Sequence, residues 1–185
     1  LPGISWFEGI YYNKEIFEEN NVELPKTFDE FLDVCTTFQN AGVTPLAAGL
    51  KSWEPLLKSS MAFVTAEYLS TDEGKGFGEK YRNGEVTMDG TWNPYIETWS
   101  QLIDNGVYTA DMTGIDHDQA LEQFATGGSA MFCSGPWDYD AIMEKNPELQ
   151  LDMMPFYGTK ESAGWLIGGP GCGFAANASS KNLDA

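Results

Sequence analysis

The stretch SAMFCSGPWDYDAIMEKN, residues 129–146, places a strand, a tight turn and a helix in direct succession. The apolar run SAMFC predicts a buried strand, because short apolar runs bounded by turn residues are typical of strands. Gly135-Pro136 predicts the turn, and the residues after it predict a helix. A strand that leads into a helix indicates α/β architecture. It also places Trp137, Asp138 and Tyr139 at the exit of a strand.

The same alternation extends along the rest of the chain. GIYYN (9–13), TPLAAG (44–49) and LQLDMMPF (149–156) predict short strands. Two segments that lie between these strands, residues 28–38 and residues 91–106, each carry an apolar stripe at helical spacing. We therefore predict an α/β fold: a helix-rich lobe with a small central sheet covered on both faces. The residues expected to line the interior of the sheet are Ile10, Leu46, Met131 and Phe132.

Local signals mark some ends of these elements. Pro25 ends the preceding segment, Thr27 is positioned to cap the helix that starts at residue 28, and Glu30 completes the pattern of a capping box. Ala41-Gly42 predicts the end of that helix. The glycine-rich segment 166–177 predicts a strand pair or a bulged strand.

Composition excludes several classes of function. The chain has 185 residues and a formal charge of −18, from 28 acidic and 10 basic side chains. This balance disfavours binding to nucleic acid or to anionic membrane surfaces, which needs clustered Lys and Arg. No segment has the ~20 apolar residues of a membrane span. Cys35, Cys133 and Cys172 form no C-x-x-C motif, and His117 is the only histidine, so we predict no metal and no cofactor.

Signatures of common enzymes are also missing. The sequence contains no G-x-S-x-G, no H-E-x-x-H and no P-loop, and GGPGCG (168–173) does not match G-x-G-x-x-G. A pair of carboxylates could serve a glycoside-processing enzyme, but 28 acids make some such pair inevitable. His117, between Asp116 and Asp118, is interpreted as part of a solvated helix cap.

Aromatic residues are the most informative class. Six Trp, eight Tyr and eleven Phe make up 14% of the chain. Trp53, Trp137 and Trp165 each lie at the boundary between a loop and a regular element, where side chains can face a cleft. An aromatic plane packs on the apolar face of a sugar ring, and a nearby carboxylate accepts hydrogen bonds from hydroxyl groups. From sequence position alone, packing in the core is the alternative role for these three tryptophans.

Three blocks of sequence resemble one known family. YYNKEIFEENNVELPKTFDEFLDVCTTFQNAGVTPLAAG (11–49) is similar to a pattern YNK-(D/E)-LF-E, P-x-TWDEF and AG-x-TP, with Phe28 in place of the usual tryptophan. ALEQFATGGSAMFCSGPWDYDAI (120–142) resembles F-x-x-G-x-AAM-x-x-(S/N)G-x-W, and GGPGCGFAANASSKNLDA (168–185) resembles GG-x-x-x-x-I-x-x-x-SKN-x-x-A. These are patterns of bacterial extracellular solute-binding proteins of family 1, the sugar-binding subunits of ABC importers, which include maltose-binding protein.

The resemblance implies one lobe of a periplasmic-binding-protein-like fold. In this family two α/β lobes are joined by hinge strands and clamp the ligand between them. Residues 1–185 correspond to a single lobe, most of the C-terminal one, with the N-terminal lobe and the final helices outside the chain. The three cysteines are not features of the family.

The resemblance also implies the residues of a ligand site. Trp137 matches the tryptophan that stacks on the sugar in sugar-binding relatives, and Trp53 matches another aromatic residue of the cleft. The region from Trp165 to Gly171 matches a third wall, where small residues let a ligand approach the backbone. The complete set of expected ligand-binding residues is Trp53, Glu54, Trp137, Asp138, Tyr139, Trp165, Gly168, Gly169 and Gly171.

By this resemblance the protein captures a carbohydrate for an ABC importer and performs no catalysis. The implied partners are the carbohydrate and the membrane permease subunits, with no nucleic acid and no direct membrane insertion. The implied location is extracellular or periplasmic, with the full-length lipoprotein anchored to the cell surface. One alternative is a binding protein for another small solute such as a polyol phosphate, although only ten basic residues disfavour a phosphate ligand. The other is a glycoside-processing enzyme.

Overall fold

Helices dominate the part of the chain that the structure describes. This computed structural model describes residues 4–160, 164–173, 175, 177 and 179–180. No helix in those ranges is long and apolar enough to cross a membrane. The α-helices are α1 (Lys14–Glu19), α2 (Phe28–Asn40), α3 (Glu54–Val64), α4 (Phe77–Arg82), α5 (Asn93–Trp99), α6 (Gln101–Asp104), α7 (His117–Ala125) and α8 (Tyr139–Lys145).

A small mixed sheet is built around strand β1 (Ser5–Asn13). The second half of β1 pairs antiparallel with β3 (Met131–Ser134) on one side and with β4 (Leu151–Met154) on the other. Its first half pairs antiparallel with β5 (Ile167–Pro170). The short strand β2 (Leu46–Ala47) pairs parallel to β3 at the edge of the sheet. β1 is therefore longer than the predicted 9–13, and its first half was not foreseen.

Both faces of the sheet are covered, as predicted. Successive residues of a strand point to opposite faces, so Ile10 and Tyr11 enter different cores. Ile10 packs in the larger core with residues of α1, α2, α3, α5 and α6. Tyr11 packs in the smaller core with residues of α7 and α8. The four predicted interior residues are all buried, with Met131 in the larger core and Phe132 in the smaller one.

Helix α2 forms where the capping signals place it. The Thr27 hydroxyl accepts the backbone N–H of Glu30 at 3.2 Å, which satisfies one of the free donors of the first turn. The Glu30 carboxylate accepts the backbone N–H of Lys26 at 2.7 Å, one residue before the position expected for a capping box. The helix ends before Gly42, whose φ of +75° lies in the left-handed region that glycine adopts without strain.

One predicted helix differs in detail. The helix expected over 91–106 is divided at Ser100 into α5 and α6, and Ile103 on its apolar stripe is half exposed. Helix α3 begins at Glu54 and is continued beyond Val64 by a π-helical turn over Thr65–Leu69.

We expect Phe38→Ala to reduce the free energy of unfolding by about 3–5 kcal/mol, because it removes a large ring from a packed core. Phe38 is fully buried in the larger core, and its ring centroid lies 5.0 Å from that of Phe17. Urea denaturation of wild type and variant measures the loss. Ile103→Ala on the half-exposed position is the control and should cost less than about 1 kcal/mol. Equal costs for the two variants would contradict the assignment of Phe38 to the core.

Candidate functional site

A small polar cavity of about 50 Å³ lies where β1, α3 and the end of β3 meet the start of α7. Acidic and basic side chains face one another in it, which is unusual so close to a hydrophobic core. Its lining residues are Glu8, Gly49, Ser52, Glu54, Pro55, Lys58, His117, Cys133, Ser134 and Phe156. We refer to this group of residues as the polar cavity.

Lys58 is the central charge of the polar cavity. Its ammonium lies 2.5 Å from a carboxylate oxygen of Glu8 on β1 and 3.8 Å from one of Glu54, four residues earlier on α3. Glu8 is buried, and burial raises the pKa of its carboxyl, with Lys58 offsetting only part of that effect. A buried carboxylate needs such a partner to stay ionised.

Trp137 lies directly beside this charge network. The Lys58 ammonium sits over the indole ring, 5.8 Å from its centroid, within the range of a cation–π interaction. The ring also packs closely on Gly135, where an added Cβ would lie 2.3 Å from the indole and 2.4 Å from the Phe7 carbonyl oxygen. Trp137 is nevertheless 49% exposed. One part of the ring is held in place while the rest is exposed.

Asp138 turns inward, away from solvent. It is only 8% exposed and accepts hydrogen bonds from the Ser134 hydroxyl and, at 2.8 Å, from His117 Nε2. Burial acts to raise the pKa of Asp138, but the hydrogen bonds from His117 and Ser134 outweigh it and lower the pKa below its usual value. Because its Oδ2 is already engaged, Asp138 is placed to orient its neighbours. Direct contact between Asp138 and a ligand stays a prediction.

His117 does not serve as the predicted solvated cap. Asp116 is the N-cap of α7 and forms a complete capping box with Gln119. The His117 imidazole packs instead against Phe132, with ring centroids 5.7 Å apart, and its Nε2 reaches Asp138. The hydrogen bond to Asp138 raises the pKa of His117, with burial opposing it. The side chain therefore belongs to the polar cavity, a position that helix-capping patterns do not reveal.

Glu54 lines the same cavity, and Trp53 is its neighbour in sequence. Trp53 immediately precedes α3 and is 66% exposed, and Glu54 is the first helical residue. Pro55 stabilises this helix start because its missing N–H would have no partner there. The structure thus brings both Glu54 and Trp137 to the Lys58 ammonium, with Trp53 next in sequence to Glu54.

Trp165 and Tyr139 lie on a different surface from the polar cavity. Two open hollows share Phe7 and Met153 as lining residues, one with Trp165 and the other with Tyr139. Trp165 is 39% exposed, and its backbone pairs with that of Phe156, which lines the polar cavity. That a single ligand contacts both this Phe7 surface and the polar cavity stays a prediction.

The predicted glycines lie along the first half of β1. Gly168 is opposite Phe7, and Gly169 is opposite Trp6. A Cβ on Gly168 would lie 2.5 Å from the Trp6 carbonyl oxygen, so strand packing alone requires a glycine there. The N–H of Gly171 donates to the Ile4 carbonyl at 2.8 Å. Close approach of a ligand to these glycines stays a prediction.

The thiol in the polar cavity is not set up as a nucleophile. Burial raises the pKa of Cys133 to about 12, so the thiolate is scarce at neutral pH. Within the ranges that the structure describes, no three His, Cys, Asp or Glu side chains form a group that could hold a metal ion. The chemistry that these residues offer is hydrogen bonding and ring stacking.

Sequence reasoning missed Glu8, Lys58 and His117 as members of the site. Glu8 stands in the apolar context WFEGI, where a lone acid is a signal of a buried ion pair. Lys58 follows Glu54 by four residues, which places both on one helix face. These two signals were present, but Glu8 and Lys58 lie on different elements, β1 and α3, so neither signal identifies the pair.

We expect the stability difference between wild type and His117→Gln to be larger at pH 5.5 than at pH 8.5. The folded pKa of His117 is raised above its usual 6.5, so its contribution is complete below that pH and is lost as pH rises through the folded pKa. The lowered pKa of Asp138 keeps its carboxylate charged at pH 5.5. Melting temperatures at both pH values measure this, with Asp140→Asn as an exposed control. A pH-independent difference would contradict the pairing.

Comparison with known proteins identifies the chain's relatives. A family model described as bacterial extracellular solute-binding protein matches residues 1–185. The multiple sugar-binding protein of Streptococcus mutans is 26% identical over 184 residues, which cover 99% of this chain and 44% of that protein. The chain therefore spans less than half the length of this curated relative.

Solved structures agree on the fold. A family 1 extracellular solute-binding protein from Bifidobacterium longum subsp. infantis matches with a TM-score of 0.80 and 25% identity, over 92% of this chain and 44% of that one. A sugar transporter protein from Bacillus licheniformis, solved in complex with stachyose, matches with a TM-score of 0.77 and 21% identity, over 99% of this chain and 48% of that one. With the family model matching its whole length, this chain belongs to the bacterial extracellular solute-binding proteins.

Proposed function

We propose that this chain is the larger part of the C-terminal lobe of a carbohydrate-binding subunit of an ABC importer. The observation that carries the proposal is the half-exposed Trp137 ring, held beside a cavity of fixed polar groups. Sugar sites combine apolar platforms with a few oriented hydrogen-bonding groups. The relatives and neighbours described as sugar-binding support the same ligand class.

The proposed site is one wall of a cleft. Trp137 and Trp53 supply stacking surfaces, and the Glu54 carboxylate accepts hydrogen bonds from sugar hydroxyls. Trp165, Tyr139 and the glycines of β5 extend this wall along the first half of β1. The opposite wall is formed by sequence outside this chain, which is consistent with the chain spanning 44% of its curated relative.

The proposal includes capture without catalysis. The two acids nearest the ammonium of Lys58 are Glu8, which is buried, and Glu54, which is exposed. Both are held by the same cation, an arrangement that suits binding better than the separate acid and base roles of a glycosidase. Permease subunits are the proposed protein partners, and the proposed location is outside the cytoplasmic membrane, with a lipid anchor on the full-length protein.

A thermal-shift screen of the full-length gene product against mono- and oligosaccharides tests the ligand class, because a bound ligand raises apparent stability. At least one sugar should raise the melting temperature in proportion to its concentration. Hydrolysis of chromogenic glycosides by the same protein would contradict the absence of catalysis.

We expect Trp137→Ala to weaken binding of the sugar found in that screen by roughly 1–3 kcal/mol, or about 5- to 150-fold, because a stacking platform is lost. Isothermal titration calorimetry of the full-length protein measures the change. Tyr81→Ala on α4 is the control, since that ring is exposed to the same extent but stacks on Phe77, whereas Trp137 lies under the Lys58 ammonium. Unchanged affinity in Trp137→Ala would mean that this ring is only a packing residue.

We expect residues 1–185 alone to bind the same sugar with an affinity nearly 100-fold lower than that of the full-length protein. Losing on the order of 100 Å² of apolar contact with the opposite wall costs about 2.5 kcal/mol at ~25 cal/mol per Å². Hinge closure is lost as well, because it needs two bodies. Calorimetry of the two proteins side by side measures this. Equal affinities would show that these residues form a complete binding module.

A further inference from the structure

Each basic side chain in or beside the polar cavity, among the described residues, already has a carboxylate partner. Lys58 contacts Glu8 and Glu54, as described above. His117 contacts Asp138 at 2.8 Å. At the border of the cavity, the Lys51 ammonium lies 3.8 Å from Asp116. A ligand carboxylate or phosphate would therefore find no cation that is not already engaged by an acid.

The balance of charge in the cavity is negative. Glu8, Glu54 and Asp138 carry three negative charges when ionised, against one positive charge on Lys58 and at most one on His117. The polar cavity together with Asp138, whose carboxylate contacts its lining residues His117 and Ser134, thus holds a net charge of −1 with His117 protonated and −2 with His117 neutral. These groups act on one another, since Asp138 and Glu54 both contribute to the raised pKa of Glu8. The whole chain, at −18, adds a field of the same sign.

An anionic ligand would meet two obstacles here. It would be repelled by Glu54, which is exposed at the mouth of the cavity. It could gain full attraction from Lys58 only by weakening the contact with Glu8, which would leave a buried carboxylate without its partner. An uncharged sugar avoids both obstacles, because its hydroxyls can donate to Glu54 while its ring face lies on Trp137.

We propose that the polar cavity selects uncharged saccharides over their uronate counterparts, and that Glu8 and Glu54 are the residues that set this selectivity. This inference rests on the proposed carbohydrate function and narrows it. It assigns Lys58 the role of a positioning residue: it favours the charged form of Glu8, holds the two carboxylates close together and is not an anchor for an anionic ligand.

The test compares matched pairs of ligands that differ only by a carboxylate at C6. Suitable pairs are glucose with glucuronate, galactose with galacturonate, and α-1,4-galactobiose with digalacturonate. Calorimetry on the full-length gene product at low ionic strength should give at least tenfold weaker binding for the uronate of any pair whose neutral member binds. Raising the salt concentration should narrow that gap, because screening weakens repulsion between exposed charges.

Variants assign the selectivity to particular residues. Glu54→Gln should narrow the ratio of affinities by about threefold, since one exposed charge roughly 6 Å away in water contributes about that factor. Glu8→Gln combined with Glu54→Gln should narrow it by about tenfold or more. Glu19→Gln removes an exposed charge on α1 that does not line the cavity, and it should leave the ratio unchanged. If the double variant fails to fold, the Glu54→Gln variant and the salt series still show whether the charges of the cavity set the selectivity.

The outcomes separate this inference from the function on which it rests. A uronate that binds wild type as tightly as its neutral partner would overturn the selectivity and leave carbohydrate binding in place. A ratio that Glu54→Gln does not change, and that salt does not change, would also overturn it. If no sugar of any charge stabilises or binds the protein, the carbohydrate function fails and this inference fails with it.

Discussion

The pairing of β1 with three other strands is the constraint on which the rest of this structure depends. Because side chains alternate along a strand, its register sends Ile10 to the larger core and Tyr11 to the smaller one. The same alternation, continued towards the start of the strand, places Glu8 in the polar cavity and Phe7 on the opposite surface. A slip of one residue would exchange all four positions. The register that builds the core therefore also decides which surface is polar and which is aromatic.

The ion pair between Glu8 and Lys58 is a costly way to stabilise a fold. Removing a carboxylate from water is expensive, and attraction to a single ammonium often does no more than compensate. Apolar residues at both positions would extend the larger core without that cost. The pair is better explained by the surface that it creates, where Lys58 is fixed between two acids and lies over the Trp137 ring.

The sequence predicted the fold more fully than the site. Apolar periodicity located α2, β3 and β4 because each buries its own stripe, which is visible in a local window. The first half of β1 was missed because Ser5–Glu8 gains its strand pairing from Ile167–Pro170, more than 150 residues later. The grouping of Glu8, Lys58 and His117 was missed for the same reason. These three residues meet only after three separate elements have packed. Trp137 and Glu54 were among the expected site residues because the Gly135-Pro136 turn and the family resemblance mark their positions locally.

The turn that carries Trp137 is supported by the core itself. The Tyr11 hydroxyl donates to the Gly135 carbonyl at 3.0 Å, and burial raises the pKa of Tyr11 to about 12, so it remains a donor across the ordinary pH range. Asp138, at the other end of the turn, is held by Ser134 and His117. A ring fixed at both ends of its turn loses little freedom when it meets a ligand, and less of the binding free energy is then spent on ordering the protein. Tyr11, a residue of the smaller core, thus also supports the ring that we propose as a stacking surface.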